Sequence, residues 1–463
     1  MRLKKDENRH RVNADLKIEF TKQDVTSYAG LELFRRYFRL IRLNARVRKR
    51  FENTGIKGDY SVTQFILLFI CLWLTGGSRL RHVQFLEGDP LVKRLTGLSS
   101  MPSDRSLSRW LKQFCHDSLQ VLVELNNELV MEKLGELKLK SVTLDFDGTI
   151  TSCGNTVEYA ERGYNPHKRY SKSYFPLLCH VGETGHMFEC HNRAGNCHDS
   201  KGGAMDFIES CVLKVQGFIK KSTVGIRCDA AFFTREMVEF LQSNSKLEYA
   251  IKVPFWHRCA FKDLVNSRQR WSWLNESTSY FEKTVAMPRW GKKVRIVFYK
   301  IKLSEKKAKS PLQLGLFDPK DGIYEYQMIF TNKDADQALD YYNGRAQMER
   351  NIAELKQEYS FEKVPTNKWT ANSAFQLLSL MAYNLVRNFC FDALPTESRK
   401  PGESSTSLFV IPTLKTLRFE AIAAAAKVLN VDGYKILRVN RNAHREQFYE
   451  KAINGMENLK NAA

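Results

Sequence analysis

The chain has 463 residues, enough for about three domains of ordinary size or one core carrying large insertions. Its 43% hydrophobic and 27% charged residues exclude a mostly disordered or fibrous chain. Lysine and arginine number 72 against 51 acids, a net charge of +21, and that excess points to a polyanionic partner, of which nucleic acid is the usual one.

Residues 1–135 read as a helical, basic region. The polar N-terminus has no apolar core of the kind a secretory signal needs. Arg35, Arg39, Arg42 and Arg46 recur at helical spacing beside an apolar stripe of Phe34, Phe38, Ile41 and Ala45. Such a basic stripe either tracks phosphates or faces solvent. The longest apolar run, Phe65 to Leu74, is too short to span a bilayer, so it reads as a buried helix and no membrane partner is expected. After Gly76-Gly77, Met101-Pro102-Ser103 opens another helix with Ser103 as its N-cap. Leu107, Trp110, Leu111 and Phe114 point inward there and leave Arg105, Ser106 and Arg109 outward, in the manner of a helix-turn-helix reader.

At Ser141 the texture changes. Ser141 to Asp147 is β-rich and ends in Gly148-Thr149. Tyr174–Val181 and His186–His191 follow as strands around Gly182-Glu183-Thr184-Gly185. A helix from Asp199 to Val215, a strand from Thr223 to Asp229, a helix from Thr234 to Leu241 and a strand from Leu247 to Val253 complete the order β-β-β-α-β-α-β. That order is the one of a ribonuclease-H-like α/β core, a mixed sheet with flanking helices. Residues 136–253 are its first part.

Residues 254–330 read as a β-rich insertion, with strands at Val294–Ile301 and Tyr324–Phe330 separated by a polar stretch from Ser304 to Ser310. Core residues resume over 331–400, with one long helix from Asp334 to Glu358 and a strongly apolar one from Ala371 to Phe391. A breaker-rich linker from Pro401 to Ser407 then leads into an α-rich tail, within 401–463.

Three acidic positions stand out. Asp145 and Asp147 lie two apart on a strand and so share a face, Asp229 ends another strand, and Glu349 lies on the long helix. Brought together, such carboxylates make a hard-oxygen site suited to Mg²⁺ or Mn²⁺, and two such ions serve phosphoryl transfer. Tyr342, two residues, Arg345, three residues, Glu349, six residues, Lys356 is then a pattern of four residue types at fixed spacings. It resembles the tyrosine–arginine–glutamate–lysine signature of DDE insertion-sequence transposases. Leu144 to Thr149 and Arg227 to Phe232 resemble the two aspartate strands of that group, and Gly195-Asn196 with Asp199-Ser200 resembles its connector. Ala230 stands where most relatives carry serine or glycine.

The resemblance implies a catalytic, metal-holding triad of Asp147, Asp229 and Glu349, with Asp145 as the alternative first acid. It implies two Mg²⁺ or Mn²⁺ ions, with Tyr342, Arg345 and Lys356 on the element end. The 120 residues between Asp229 and Glu349 agree with an insertion before the glutamate helix. The expected activity is cutting of element ends and their joining to target DNA. A stand-alone nuclease and a domesticated non-catalytic DNA-binding protein are the alternatives. The expected partners are double-stranded DNA, as terminal inverted repeats and target, and a second copy of the chain in a homodimer. The expected location is the bacterial cytoplasm, at the nucleoid, where ten scattered cysteines stay reduced.

Two further groups invite a function. Cys179-His180, Cys190-His191 and Cys197-His198 supply zinc-ligand types but no CxxC pair, so buried cysteines and incidental histidines are the simpler reading. Trp256, Trp271, Trp273 and Trp290 would stack on a flipped base or, more simply, pack a core.

Overall fold

Apolar spacing in the first third of the chain produces a set of helices that cannot bury their faces alone. In the computed structural model, which describes residues 16 and 18–462 apart from 164, 166, 167, 169, 199, 256–258, 289, 304–322 and 399–407, they are α1 (Leu31–Leu40), α2 (Leu43–Phe51), α3 (Val62–Leu74), α4 (Pro90–Thr96), α5 (Asp104–Leu111) and α6 (His116–Leu137). The Ser304–Ser310 stretch, the Pro401–Ser407 linker, Asp199 and Trp256 lie outside the described residues. Ser61 and Gln64 form a reciprocal capping box at the start of α3, and every residue from Phe65 to Leu74 is buried. Ser103 caps α5 by accepting from the Ser106 amide, as its sequence predicts.

The stripe expected to run along one helix from Arg35 to Arg46 is broken. Arg42 adopts a left-handed backbone, φ 54°, between α1 and α2. The turn rotates α2 so that Leu43, Val47 and Phe51 are buried and Ala45 is exposed.

Strands β1 (Ser141–Gly148), β2 (Leu177–Val181) and β3 (Met187–His191) precede α7 (Ala204–Phe218), β4 (Thr223–Cys228), α8 (Arg235–Ser243) and β5 (Leu247–Lys252). The next strands are β6 (Ser272–Asn275), β7 (Thr278–Met287), β8 (Lys292–Lys302) and β9 (Tyr324–Thr331). Among the described residues they form one nine-stranded sheet in the order β6-β7-β8-β9-β5-β4-β1-β2-β3. β4 is parallel to both β1 and β5, whereas β2 and β3 are antiparallel to their neighbours, giving the mixed ribonuclease-H-like core. The insertion strands β6 to β9 are antiparallel and continue the same sheet from β5.

Alternation along β1 assigns its two faces. Val142, Leu144 and Phe146 join Ile226 and Cys228 in a core closed by Ile208, Val212 and Val215 of α7 and by Met237, Val238 and Leu241 of α8. The opposite face meets the helices α9 (Ala335–Asn343), α10 (Ala346–Glu358) and α11 (Trp369–Ala393). A second core joins α1 to α5, α10, α11 and the helix Ala443–Ala462, so segments from both chain ends pack together. Within it Phe65 stacks on Trp110 at 4.9 Å and Trp73 meets Phe375 edge-on at 5.5 Å. The tail also holds a hairpin, Ala426–Val431 with Tyr434–Val439, whose first strand pairs with Val25–Thr26.

The apolar helix α11 carries buried amides towards β3. Asn384 accepts from the Met187 amide at 3.0 Å and donates to the Met187 carbonyl at 2.6 Å, while Asn126 of α6 donates to the Phe188 carbonyl at 2.7 Å. Asn384 also donates to Asn126 at 2.8 Å. Asn384→Leu keeps the volume but strands the Met187 amide and leaves the Met187 carbonyl only a 3.4 Å bond from Asn126. It is expected to cost about 2–4 kcal/mol, seen as a lower denaturation midpoint and faster hydrogen exchange at the Met187 amide.

Candidate active site

The three conspicuous acids sit on elements that the sheet and α10 bring to one region. Asp145 faces Arg227 across the parallel β1–β4 ladder and His180 across the antiparallel β1–β2 ladder. Its carboxylate accepts from Arg227 Nε at 2.6 Å and Nη2 at 2.8 Å, and pairs with His180 Nδ1 at 3.1 Å. Asp145 is 0% exposed, and both of its oxygens are engaged. Burial alone would push its carboxyl up, but the Arg227 charge, with hydrogen bonds from His180 and Arg227, outweighs burial and holds it down at about 2.

Asp147, on the same strand face, lies where β1 reaches solvent, with 22% of its side chain exposed. It pairs with Arg345 Nη2 at 2.9 Å. Asp229 follows β4 and caps the short turn Ala230–Phe232, accepting from the Ala231 amide at 3.0 Å. The β1–β4 ladder ends at Phe146 opposite Cys228, so Asp147 and Asp229 leave adjacent strands at the same level.

The glutamate helix is not continuous with its predecessor, contrary to the single helix expected from Asp334 to Glu358. α9 stops at Asn343, and Arg345, Gln347 and Met348 bond to carbonyls three residues back, tightening the chain at Gly344. Gly344 itself keeps helical dihedrals, φ −55° and ψ −21°, and Arg345 is held from outside by Asp147 and by the Phe146 carbonyl at 3.3 Å. Glu349 falls in the first turn of α10, is exposed, and has no hydrogen-bond or ion-pair partner among the described residues. Lys356, two turns further on, donates to the Ile150 carbonyl at 3.2 Å. Glu349 is thus bracketed on one helix stripe by two cations that both touch the Asp147–Ile150 segment.

Tyr342 is half-buried, its hydroxyl pushed up by burial, with Arg345 opposing and Asp229 adding to the shift. Arg345 is held protonated by Asp147, against burial, and also feels Asp229. Its Nε is buried without a hydrogen-bond partner. Among the described residues no three histidine, cysteine or acidic side chains lie close enough together to hold an ion. The donor chemistry nevertheless fits one: hard carboxylate oxygens leave adjacent strands, and Arg345 already sets a cation against them.

The remaining expected DNA contacts divide. Arg35 pairs with Glu32 at 2.7 Å, and Arg46 pairs with Glu128 and Glu132 at 2.8 and 2.7 Å, holding α2 to α6. Arg39 and Arg42 are exposed and make no ion pair among the described residues. Arg105 and Arg109 are exposed on α5. Arg105 lines a cavity of about 500 Å³ with Arg79, Arg81 and Lys363, three cations that sequence reading did not single out. The Arg-Leu-Arg run at Arg79–Arg81 was the available signal.

His180, read as incidental, is instead part of the Asp145 cluster, and Cys179 faces away into the other core. Arg227, Asn351 and Tyr341 also belong to that cluster and were missed, because one sequence does not reveal which strands pair. Trp271 packs edge-on against Phe281 at 4.8 Å and Trp290 against Phe233 at 5.3 Å, while Trp273 is 72% exposed on β6.

Over residues 8–461 the chain matches the protein family described as transposase DDE domain, group 1. Among solved structures it is similar to a piggyBac transposase synaptic complex with hairpin DNA, determined by cryo-EM. That similarity has 14% identity and a TM-score of 0.43, and covers 95% of this chain and 84% of that chain. It is also similar to the Mos1 transposase paired-end complex with left transposon end, with 9% identity, a TM-score of 0.18, and coverage of 45% and 66%. No curated protein matches the chain in sequence.

The Asp145 carboxyl has an ordinary value of 3.8 and is held at about 2, so its stabilisation is complete above pH 4 and is lost as pH falls towards 2. The native protein should therefore lose stability across that window. Asp145→Asn leaves Arg227 buried and unpaired, at a cost of about 3–5 kcal/mol. The variant should also show a flatter dependence between pH 4 and 2 in denaturation measurements.

Proposed function

The chain belongs to the group 1 DDE-domain transposases, and from that premise we propose that Asp147, Asp229 and Glu349 are its catalytic triad. It is a DNA transposase, of a family that cleaves and transfers DNA strands using divalent metal ions. The observation that carries the assignment is the bracketing of Glu349: Arg345 and Lys356, on either side of it along one helix stripe, both touch the Asp147–Ile150 segment. Asp147 is preferred to Asp145 because both Asp145 oxygens are already held, by Arg227 and His180, with no exposure to solvent.

Each carboxylate has a part to play in a reaction at phosphorus. When bound, two Mg²⁺ or Mn²⁺ ions held by the three acids supply charge neutralisation of the phosphoryl oxygens. The acids would hold those ions at the open end of β1 and β4, which is where the reacting phosphate would sit. Arg345, with its unpaired Nε, and Lys356 grip phosphates beside the scissile bond, where the planar guanidinium offers two donors at once. Tyr342 adds a hydroxyl or a ring face to the terminal nucleotide. Water is the nucleophile in cutting, and the freed 3′-hydroxyl is the nucleophile in joining.

The surrounding cations hold the duplex. Arg39 and Arg42 contribute salt-sensitive phosphate contacts, and Arg105 and Arg109 on α5 contribute sequence preference, supported by their exposure. The substrates are double-stranded element ends, as terminal inverted repeats, and target DNA. The enzyme works as a homodimer at the bacterial nucleoid, in the cytoplasm. No helix of the described residues is long and apolar enough to cross a membrane, and no disulfide links the cysteines among them.

Incubation with candidate element ends and Mg²⁺, with cleavage and joining products resolved on a gel, tests this reading. Both products are expected; cleavage without joining would leave a nuclease. Asp147→Ala, Asp229→Ala and Glu349→Ala should each abolish cleavage while end DNA is still bound, and residual cleavage in any one removes that residue from the triad.

The phosphate contacts are tested separately. Arg39→Ala combined with Arg42→Ala should reduce the salt slope of DNA binding by about two, and an unchanged slope would make them ordinary surface charges.

A further inference from the structure

Beneath the proposed triad lies a second set of polar residues, each two positions in sequence from one of its acids. Asp145 precedes Asp147 on β1, Arg227 on β4 lies two residues before Asp229 at its end, and Asn351 follows Glu349 on α10. They are joined into one network. Arg227 and His180 bond Asp145, and Asn351 Nδ2 donates to His180 Nε2 at 2.8 Å. The Asn351 amide is oriented by its other neighbours, since Oδ1 accepts from Gln347 and Nδ2 also approaches the Gly185 carbonyl. His180 Nε2 is therefore an acceptor, its proton is on Nδ1, and the neutral ring donates to Asp145. Burial favours that neutral form.

The network reaches the end of α9 as well. Arg227 Nη1 donates to the Tyr341 carbonyl at 2.8 Å, and its guanidinium lies over the Tyr341 ring at 5.3 Å. The chain clears space for these groups. A Cβ on Gly182 would stand 2.4 Å from Arg227 Nη2, and one on Gly225 would stand 2.0 Å from the Tyr341 hydroxyl.

Stability alone does not account for such an arrangement. Replacing a buried ion pair by packed apolar side chains is often neutral or stabilising. What a directional network supplies, and apolar packing does not, is one fixed geometry between elements. We propose that Asp145, Arg227, His180 and Asn351 are positioning residues that set the separation of Asp147, Asp229 and Glu349, and thereby the affinity of the site for divalent cations. The proposal rests on the triad assignment above. None of the four touches the reacting atoms; they act through the strands and helix that carry the acids.

The test is a calorimetric Mn²⁺ titration of the full-length protein, with thermal midpoint and DNA binding measured in parallel. Asn351→Leu should weaken Mn²⁺ binding about 10–100-fold, the usual effect of losing a residue that orients metal ligands, while DNA binding is kept. Asn351→Ala carries the same expectation should the leucine variant not fold. His180→Gln, whose amide both donates and accepts, should stay within threefold of the native affinity, whereas His180→Leu should follow Asn351→Leu. Asn388→Leu is the control: it removes buried bonds to His186 and the Leu129 carbonyl outside the network. It should lower the midpoint without moving Mn²⁺ affinity. Native Mn²⁺ affinity in the Asn351 variants, with a lowered midpoint as in Asn388→Leu, would overturn the positioning role. Asp147→Asn separates the two ideas: if it leaves Mn²⁺ binding unchanged, the triad assignment itself falls, and the positioning role with it.

Discussion

A carboxylate with no exposure at the centre of a sheet survives as an ion only if a cation is built in beside it. Asp145 and Arg227 meet that constraint, and much of the architecture follows from it. The parallel register of β1 and β4 must set the two side chains opposite each other, and β2 must arrive antiparallel with His180 on the same row. The remaining face of the cluster then has to be closed by a polar helix position, which Asn351 supplies. Helix α10 cannot slide along the sheet without breaking that contact, and Glu349 travels with it.

The surplus of positive charge separates into two populations by the same logic. Some cations are consumed by the fold: Arg227 by Asp145, Arg46 and Arg50 by the acids of α6, and Arg418 by Glu358 and the end of α3. Others stay in water on the helical side of the molecule, among them Arg39, Arg42, Arg79, Arg81 and Arg105. Only the second population is available to a polyanion. The net charge in the sequence does not distinguish the two, because the acids that neutralise Arg46 lie over 80 residues away.

Legibility followed the range of the interactions involved. Patterns that repeat within a few residues were readable: the alternation of β1, the cap at Ser103 and the apolar α3 all follow from local chemistry. The spacing from Tyr342 to Lys356 pointed to the family, and the family is the one the chain matches. The same stretch misled on the helix, since its periodicity continues across Gly344 while Arg345 is drawn to Asp147 on a distant strand. The shared role of His180, read as incidental, of Arg227, read only as part of a motif, and of Asn351 was hidden for a similar reason. Each is unremarkable among its neighbours in sequence and acquires meaning only from strand order. The hairpin at 426–439 was missed although it is local: Asp432-Gly433, both at positive φ, is the turn signal that joins its strands, and only the pairing with Val25–Thr26 is distant.

The amides that α6 and α11 direct at β3 bear on how so wide a sheet avoids self-association. An open sheet presents unpaired backbone groups along both margins, and these are templates for strands of other molecules. On the β3 side, Asn384 takes up the amide and carbonyl of Met187, and Asn126 takes the carbonyl of Phe188, as a further strand would. On the other side the margin is β6, four residues long and bulged against β7 between Trp273 and Asn275. One margin is capped by side chains at its Met187–Phe188 end and the other is kept too short and irregular to extend, so the polymerisation hazard of a nine-stranded sheet is met at each side by a different device.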